Sequence, residues 1–100
     1  MKNNNVLHML SIAKKAGKVA SGEFMTENAV KSGGAALVIV AEDASDNTKK
    51  KFKNMCEYYK IPVRIHGIKD ELGHCIGKEF RASLAITDEG LAQAVMKKMD

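Results

Sequence analysis

Ala35-Ala36-Leu37-Val38-Ile39-Val40-Ala41, closed by Glu42, lies between the pair Gly33-Gly34 and an acidic, hydroxyl-rich stretch, Asp43-Ala44-Ser45-Asp46-Asn47-Thr48. An unbroken apolar run of this length between turn signals reads as a strand buried on both faces. A small domain can bury both faces of a strand only by covering the sheet on each side. The run therefore predicts the centre of an α/β sandwich.

The flanking segments fit that centre. Upstream, Val6, Leu7, Leu10, Ala13 and Ala16 recur at steps of three and four, with Lys14 and Lys15 in the last turn and Gly17 as a stop, which predicts a helix over 6–16. An extended piece, Lys18-Val19-Ala20, leads to Ser21-Gly22. A second helix, capped by Ser21 or Gly22, then carries Phe24, Met25, Ala29 and Val30 to Gly33-Gly34. Neither cap makes a capping box, because Phe24 or Met25 stands where Glu or Gln would reach back.

Downstream, Phe52, Met55, Cys56 and Tyr59 form one stripe of a third helix, while Lys49, Lys50, Lys51 and Lys53 fall mostly outside it as a solvated face. Ile61, Val63 and Ile65 alternate with Pro62, Arg64 and His66 in a strand that proline can only begin. Leu72 and Ile76 mark a short helix over 69–76, and Ala82-Ser83-Leu84-Ala85-Ile86-Thr87 reads as a further strand. Asp88 then caps a last helix with Leu91, Ala92, Val95 and Met99 inward. Strict alternation of helix and strand predicts an α/β fold: a three-layer α/β/α sandwich whose four-stranded central sheet is mixed but largely parallel.

Composition sets the outer limits. One hundred residues with 45% hydrophobic content suit one domain, 1–100, with a single core. Polar residues interrupt the first fifteen positions too often for a secretory segment, and no run approaches the ~18 apolar residues of a membrane span. A cytoplasmic location, with no membrane partner, is the expectation. Cys56 and Cys75 form no Cys-x-x-Cys pair and read as reduced, inward-facing thiols. The net charge of +4 permits nucleic-acid binding without requiring it.

Catalytic patterns do not emerge. His8, His66 and His74 stand singly with no carboxylate at a ligand-like spacing, so no metal is expected. The chain has no Gly-x-Ser-x-Gly elbow, no Gly-x-Gly-x-x-Gly and no phosphate-cradling loop ending in Gly-Lys-Ser/Thr. Gly33-Gly34 precedes a strand, whereas a phosphate loop follows one. The chain reads as non-enzymatic, with no cofactor. Anion binding has better support, because the N-terminus of the second helix offers backbone NH groups at the positive end of a dipole, and Gly22 removes the Cβ from their path. Lys14, Lys15 and Lys18 precede it in sequence, and Lys31 lies two turns into the same helix. Ordinary solubilising lysines around a plain helix start would look the same.

Five segments in order then carry a likeness. Ser21-Gly22 through Gly33, Ala36-Leu37-Val38-Ile39-Val40-Ala41-Glu42-Asp43-Ala44, Cys56-Glu57 with Ile61-Pro62-Val63, Leu72-Gly73 with Gly77, and Arg81-Ala82-Ser83-Leu84-Ala85-Ile86 resemble the L7Ae-type ribosomal proteins, which bind RNA kink-turns. The resemblance spans nearly the whole chain. It implies an α/β/α sandwich that sets the N-terminus of its second helix into the widened groove at sheared G·A pairs and packs a loop after the third strand on flipped-out bases. Such sites escape the closed major groove of regular A-form RNA.

Residue by residue, the family's Gly-x-Asn-Glu-x-x-Lys aligns with Gly22-Glu23-Phe24-Met25-Thr26-Glu27-Asn28, where only the glycine is kept. Phe24 stands for the amide, Met25 for the carboxylate and Asn28 for the lysine. The loop corresponds to Ile65-His66-Gly67-Ile68-Lys69, with Ile68 placed to cover a base and Lys69 to meet phosphate. The resemblance, together with the lysines around the helix start, gives an expected RNA-binding set of Gly22, Glu23, Phe24, Met25, Asn28, Lys31, Lys14, Lys15, Lys18, His66, Gly67, Ile68 and Lys69. The implied partner is structured RNA, ribosomal or regulatory, bound by a monomer within a ribosome or other ribonucleoprotein. Other readings of the same residues stay open: Phe24 and Met25 as core, Glu23 opposing phosphate, His66 as a plain strand-end residue, and the whole chain as a protein-interaction module on this fold or as the substrate-binding piece of an RNA-modifying enzyme.

Overall fold

A computed structural model of the chain describes residues 4–99; Met1, Lys2, Asn3 and Asp100, the ends of the expected 1–100 domain, lie outside the described residues. Its elements alternate as the sequence predicts: α1 (Asn4–Lys15), β1 (Val19–Ser21), α2 (Glu23–Lys31), β2 (Leu37–Val40), α3 (Asp46–Tyr59), β3 (Val63–Ile65), α4 (Lys69–Cys75), β4 (Ser83–Ile86) and α5 (Glu89–Met99). Local chemistry sets several of these boundaries. Ser45 caps α3 by accepting from the Thr48 amide at 3.1 Å, and Asp88 caps α5 by accepting from the Leu91 amide at 2.9 Å. α3 ends on Lys60 in the left-handed conformation, where the residue's own NH closes onto the last carbonyls.

Every residue of β2 is buried, as the apolar run requires. β4 is buried to the same degree, because the strands lie in the order β1-β4-β2-β3 and these two are central. α1 packs on α4 and α5 while α2 packs on α3, so helices cover both faces. Val6, Leu10 and Ala13 of α1, Phe52 and Cys56 of α3, and Ala92 and Val95 of α5 join the strands in one apolar cluster. Complete burial of side chains such as Phe52 or Leu84 contributes roughly 1.5–3 kcal/mol each.

The expectation of a largely parallel sheet needs correction. Only β2 and β3 pair in parallel; β4 runs antiparallel to both β1 and β2. The cause lies in α4. A crossover helix must carry the chain back along the full sheet before the next parallel strand. α4 has seven residues, and the Arg81 amide donates to the Lys69 carbonyl at 3.0 Å, so the excursion closes on its own starting point. β4 therefore enters at the end where β3 stopped and must run the other way. β1 and β2 share a direction but are split by β4. One end of the sheet thereby gathers the C-termini of β1, β2 and β3 with the start of β4.

Candidate nucleic-acid interface

That end carries the start of α2. Gly22 precedes the helix at φ 90°, a conformation that side chains rarely adopt, and its amide donates to the Ser83 carbonyl at 2.9 Å. The Gly22 carbonyl in turn accepts from the Thr26 amide at 2.9 Å. Buried Thr26 and Ser83 meet through their hydroxyls at 3.5 Å, which fixes the first turn of α2 to the first residue of β4. No side chain caps the helix, so the Glu23, Phe24 and Met25 amides point outward from its positive end.

A groove of about 450 Å³ opens beside these amides, lined by Gly22, Glu23, Phe24, Met25, Lys69, Phe80 and Arg81 together with Ser21 and Ala82. Phe24 is 74% exposed, Met25 51% and Phe80 55%. Large apolar side chains left in water at one place are the informative departure from ordinary burial. The reading of Phe24 and Met25 as core residues is therefore set aside: the inward positions of the helix belong to Thr26 and Val30.

Phe80 owes its position to Gly73. A Cβ on Gly73 would lie 2.4 Å from the Phe80 Cα, so only glycine lets residues 78–80 lie against α4. The Lys78 amide donates to the Gly73 carbonyl at 2.8 Å and locks that approach. Arg81 then extends across the start of α2, with its Nε 3.9 Å from where a Gly22 Cβ would stand and one guanidinium NH donating to the Phe80 carbonyl at 2.7 Å. The start of α4 is held by Asp43, which accepts from the Lys69 amide at 2.9 Å, and by Glu71, which accepts from the Ile68 amide at 3.1 Å.

Placement divides the expected site residues. Gly22, Glu23, Phe24, Met25 and Lys69 meet at the groove. Asn28 is exposed one turn further along α2. His66, Gly67 and Ile68 are half-buried; the His66 amide and the Gly67 carbonyl are spent on backbone bonds to Val40 and Glu42. The apolar side chain facing α2 across the groove is Phe80, beyond α4, and not Ile68. Lys14, Lys15 and Lys18 precede the opposite end of β1, with Lys18 about 13 Å of extended chain from Gly22. Lys31 is paired with Glu27 at 2.6 Å. Phe80 and Arg81 were missed by sequence reasoning. Their signal was a lone aromatic beside a cation in an otherwise polar stretch between Gly77 and a strand.

The acidic residues of α2 are also partnered. Lys51 of α3 reaches Glu23 at 2.8 Å and Glu27 at 2.7 Å. Hydrogen bonds from Lys31 and Lys51 hold the Glu27 carboxyl at about 2, well below its ordinary 4.5, and the same contacts raise Lys51. Burial pushes the Cys56 and Cys75 thiols up to about 11, so both are protonated and poor nucleophiles at neutral pH. No group of three or more metal-ligating side chains occurs among the described residues. None of their helices is long and apolar enough to cross a membrane. A larger groove of about 590 Å³ lies between α1 and α4, but Asp70, Glu71 and Glu79 line it and would repel a polyanion.

The fold is a helix-flanked α/β domain whose uncapped α2 start stands exposed at one end of the sheet. Residues 4–96 match the model of the "Ribosomal protein L7Ae/L30e/S12e/Gadd45 family", and the chain belongs to that family. Among its relatives is the RNA-binding protein YlxQ of Bacillus subtilis (strain 168), 40% identical over 92% of both chains. The YlxQ protein of Enterococcus faecium is 37% identical over 87% of this chain and 84% of its own. A Bacillus halodurans protein of unknown function has the same fold at a TM-score of 0.92 and 35% identity, covering 95% of this chain and 96% of its own. The Giardia lamblia 15.5kD RNA binding protein superposes at a TM-score of 0.79 and 23% identity, over 92% of this chain and 79% of its own, a likeness of fold.

Proposed function

We propose that the chain is a non-catalytic RNA-binding protein that recognises a kink-turn or a similarly distorted duplex, acting in the cytoplasm within a ribosome or another ribonucleoprotein. One observation carries this reading: Phe24, Met25 and Phe80 stand exposed around a single groove that also holds the uncapped start of α2, Lys69 and Arg81. Backbone amides and cations suit phosphate, and aromatic faces suit unstacked bases; few ligands other than distorted nucleic acid offer both at this spacing. Family membership and the RNA-binding relatives point the same way.

The mode of recognition follows from the substitutions in the helix motif. With Phe24 and Met25 in place of an amide and a carboxylate, edge-reading of the G·A pairs gives way to apolar contact. Phe24 and Phe80 would each cover a splayed base, Arg81 and Lys69 would meet the backbone beside it, and Asn28 would supply the remaining polar contact. Calorimetric titration with a kink-turn RNA, beside the same RNA with its G·A pairs made Watson–Crick, tests this. The kinked RNA is expected to bind at least tenfold tighter. Equal binding would leave only electrostatic association, and no binding to either would favour the protein-interaction module.

A further inference from the structure

Glu23 poses a problem for the function proposed above. A carboxylate in the first turn stabilises α2 through the helix dipole, yet it stands where an RNA phosphate would approach, and Glu27 follows one turn later. Two such charges beside the groove would oppose binding. The structure supplies a counterweight from a different element. Lys51, on the second turn of α3, places its Nζ 2.8 Å from Glu23 Oε2 and 2.7 Å from Glu27 Oε1, and Lys31 closes on Glu27 Oε2 at 2.6 Å. The four side chains form an alternating chain of charges with no net charge. The Lys51 Nζ also lies 5.7 Å from the ring centroid of buried Phe52, so its stem rises from the packed face of α3.

We infer that Lys51 is a positioning residue for RNA binding: it neutralises Glu23 and Glu27 and draws their carboxylates toward α3, leaving the start of α2 electropositive for the RNA backbone. The inference rests on the RNA-binding reading and adds a residue that none of the resemblance, the groove lining or the helix motif singles out. It also explains how α2 keeps two acidic residues at an anion-binding end. Among the described residues, Lys51's neighbours Lys50 and Lys53 make no such ion pair.

The test compares affinities for the kink-turn RNA at about 0.15 M salt, where interactions beyond ~8 Å are screened and local charges dominate. Lys51→Met is expected to weaken binding about fivefold, as Glu23 would lose its partner, Glu27 would keep only Lys31, and the unbalanced negative charge would lie near phosphate in a water-like dielectric. Adding Glu23→Gln and Glu27→Gln to Lys51→Met is expected to restore affinity to within about twofold of wild type, and Lys51→Arg to retain it. Melting curves of each variant check the fold. If Lys51→Met binds like wild type, the inference is overturned. If the triple variant stays as weak as Lys51→Met, Lys51 meets phosphate directly and the positioning role is likewise overturned. Wild-type protein that binds neither RNA would instead remove the RNA-binding reading, and this inference with it.

Discussion

At one end of the sheet, Phe24, Met25 and Phe80 stand in water beside Lys69 and Arg81; at the other, Lys14, Lys15 and Lys18 stand exposed before β1, with Ile12 the one large apolar side chain exposed among residues 12–18. By charge alone the second end looks the better RNA site. Yet a solvated lysine costs the fold little, whereas each exposed phenylalanine forgoes a large part of the roughly 1.5–3 kcal/mol that full burial would contribute. The aromatics Tyr58 and Tyr59, also at the second end, meet each other edge to face at 5.0 Å and carry hydroxyls suited to water. Under the proposed function, charge would mark where RNA is tolerated, and uncovered apolar surface where it is gripped.

Glycines separate the two ends most sharply. Gly73→Ala would drive a Cβ to within 2.4 Å of the Phe80 backbone and must displace residues 78–80. The expected cost is about 1–3 kcal/mol, together with loss of RNA binding as Phe80 and Arg81 move. Gly34, at the far end, offers ordinary contact distances of 3.6 and 3.7 Å to an added Cβ. Gly34→Ala is expected to be neutral or stabilising by up to ~1 kcal/mol. Urea unfolding of the two variants decides the matter. Equal stability would mean that the tight approach behind Phe80 does not exist in solution.

Affinity measurements sharpen the contrast at a smaller scale. Phe80→Ala removes a half-exposed ring, so it should leave stability unchanged while weakening RNA binding by about 1–3 kcal/mol, the worth of one stacked base. Replacing Lys14, Lys15 and Lys18 together by alanine should weaken binding less at ~0.15 M salt. It should do so alike for the kinked RNA and its Watson–Crick counterpart, and flatten the salt dependence. Were the triple variant to lose more than Phe80→Ala, and only for the kinked RNA, the basic end would be the specific site.

How much of this could be read from residues alone follows from the range of each interaction. The apolar run at 35–41, the stripe of Phe52 and Cys56 and the cap at Asp88 are local patterns, and each predicted its element. The direction of β4 was not legible, since it depends on the bond between Arg81 and Lys69, which forms only when the chain has folded back. The start of α2 could be located from Gly22, but its partners could not. Phe80 is placed by the bare Gly73 backbone, and Lys51 reaches Glu23 across 28 residues of sequence. Helical spacing assigned Lys51 to a solvated face, whereas its side chain is half-buried against α2. It could not show that α2 presents two carboxylates to that face.

Those carboxylates give the smallest effect, one that titration isolates. Glu27 sits at about 2 in the folded chain against an ordinary 4.5, held there first by hydrogen bonds from Lys31 and Lys51 and then by their charge. A lowered carboxyl contributes stability that is fully present above about pH 4.5 and is lost as pH falls through about 2. Lys51 is raised above 10.5, so its share is present below that value and is lost as pH climbs past its folded value. Glu27 and Lys51 are thus both charged across the neutral range, and acid is the convenient way to break their contact. Wild type should melt slightly above Glu27→Gln at pH 7, with the gap closing toward pH 2, and the difference should shrink in high salt because the groups are solvent-facing. A gap that ignored both acid and salt would mean that Glu27 acts through packing, and the charge chain that sets the α2 end apart from the lysine-rich end would not operate in solution.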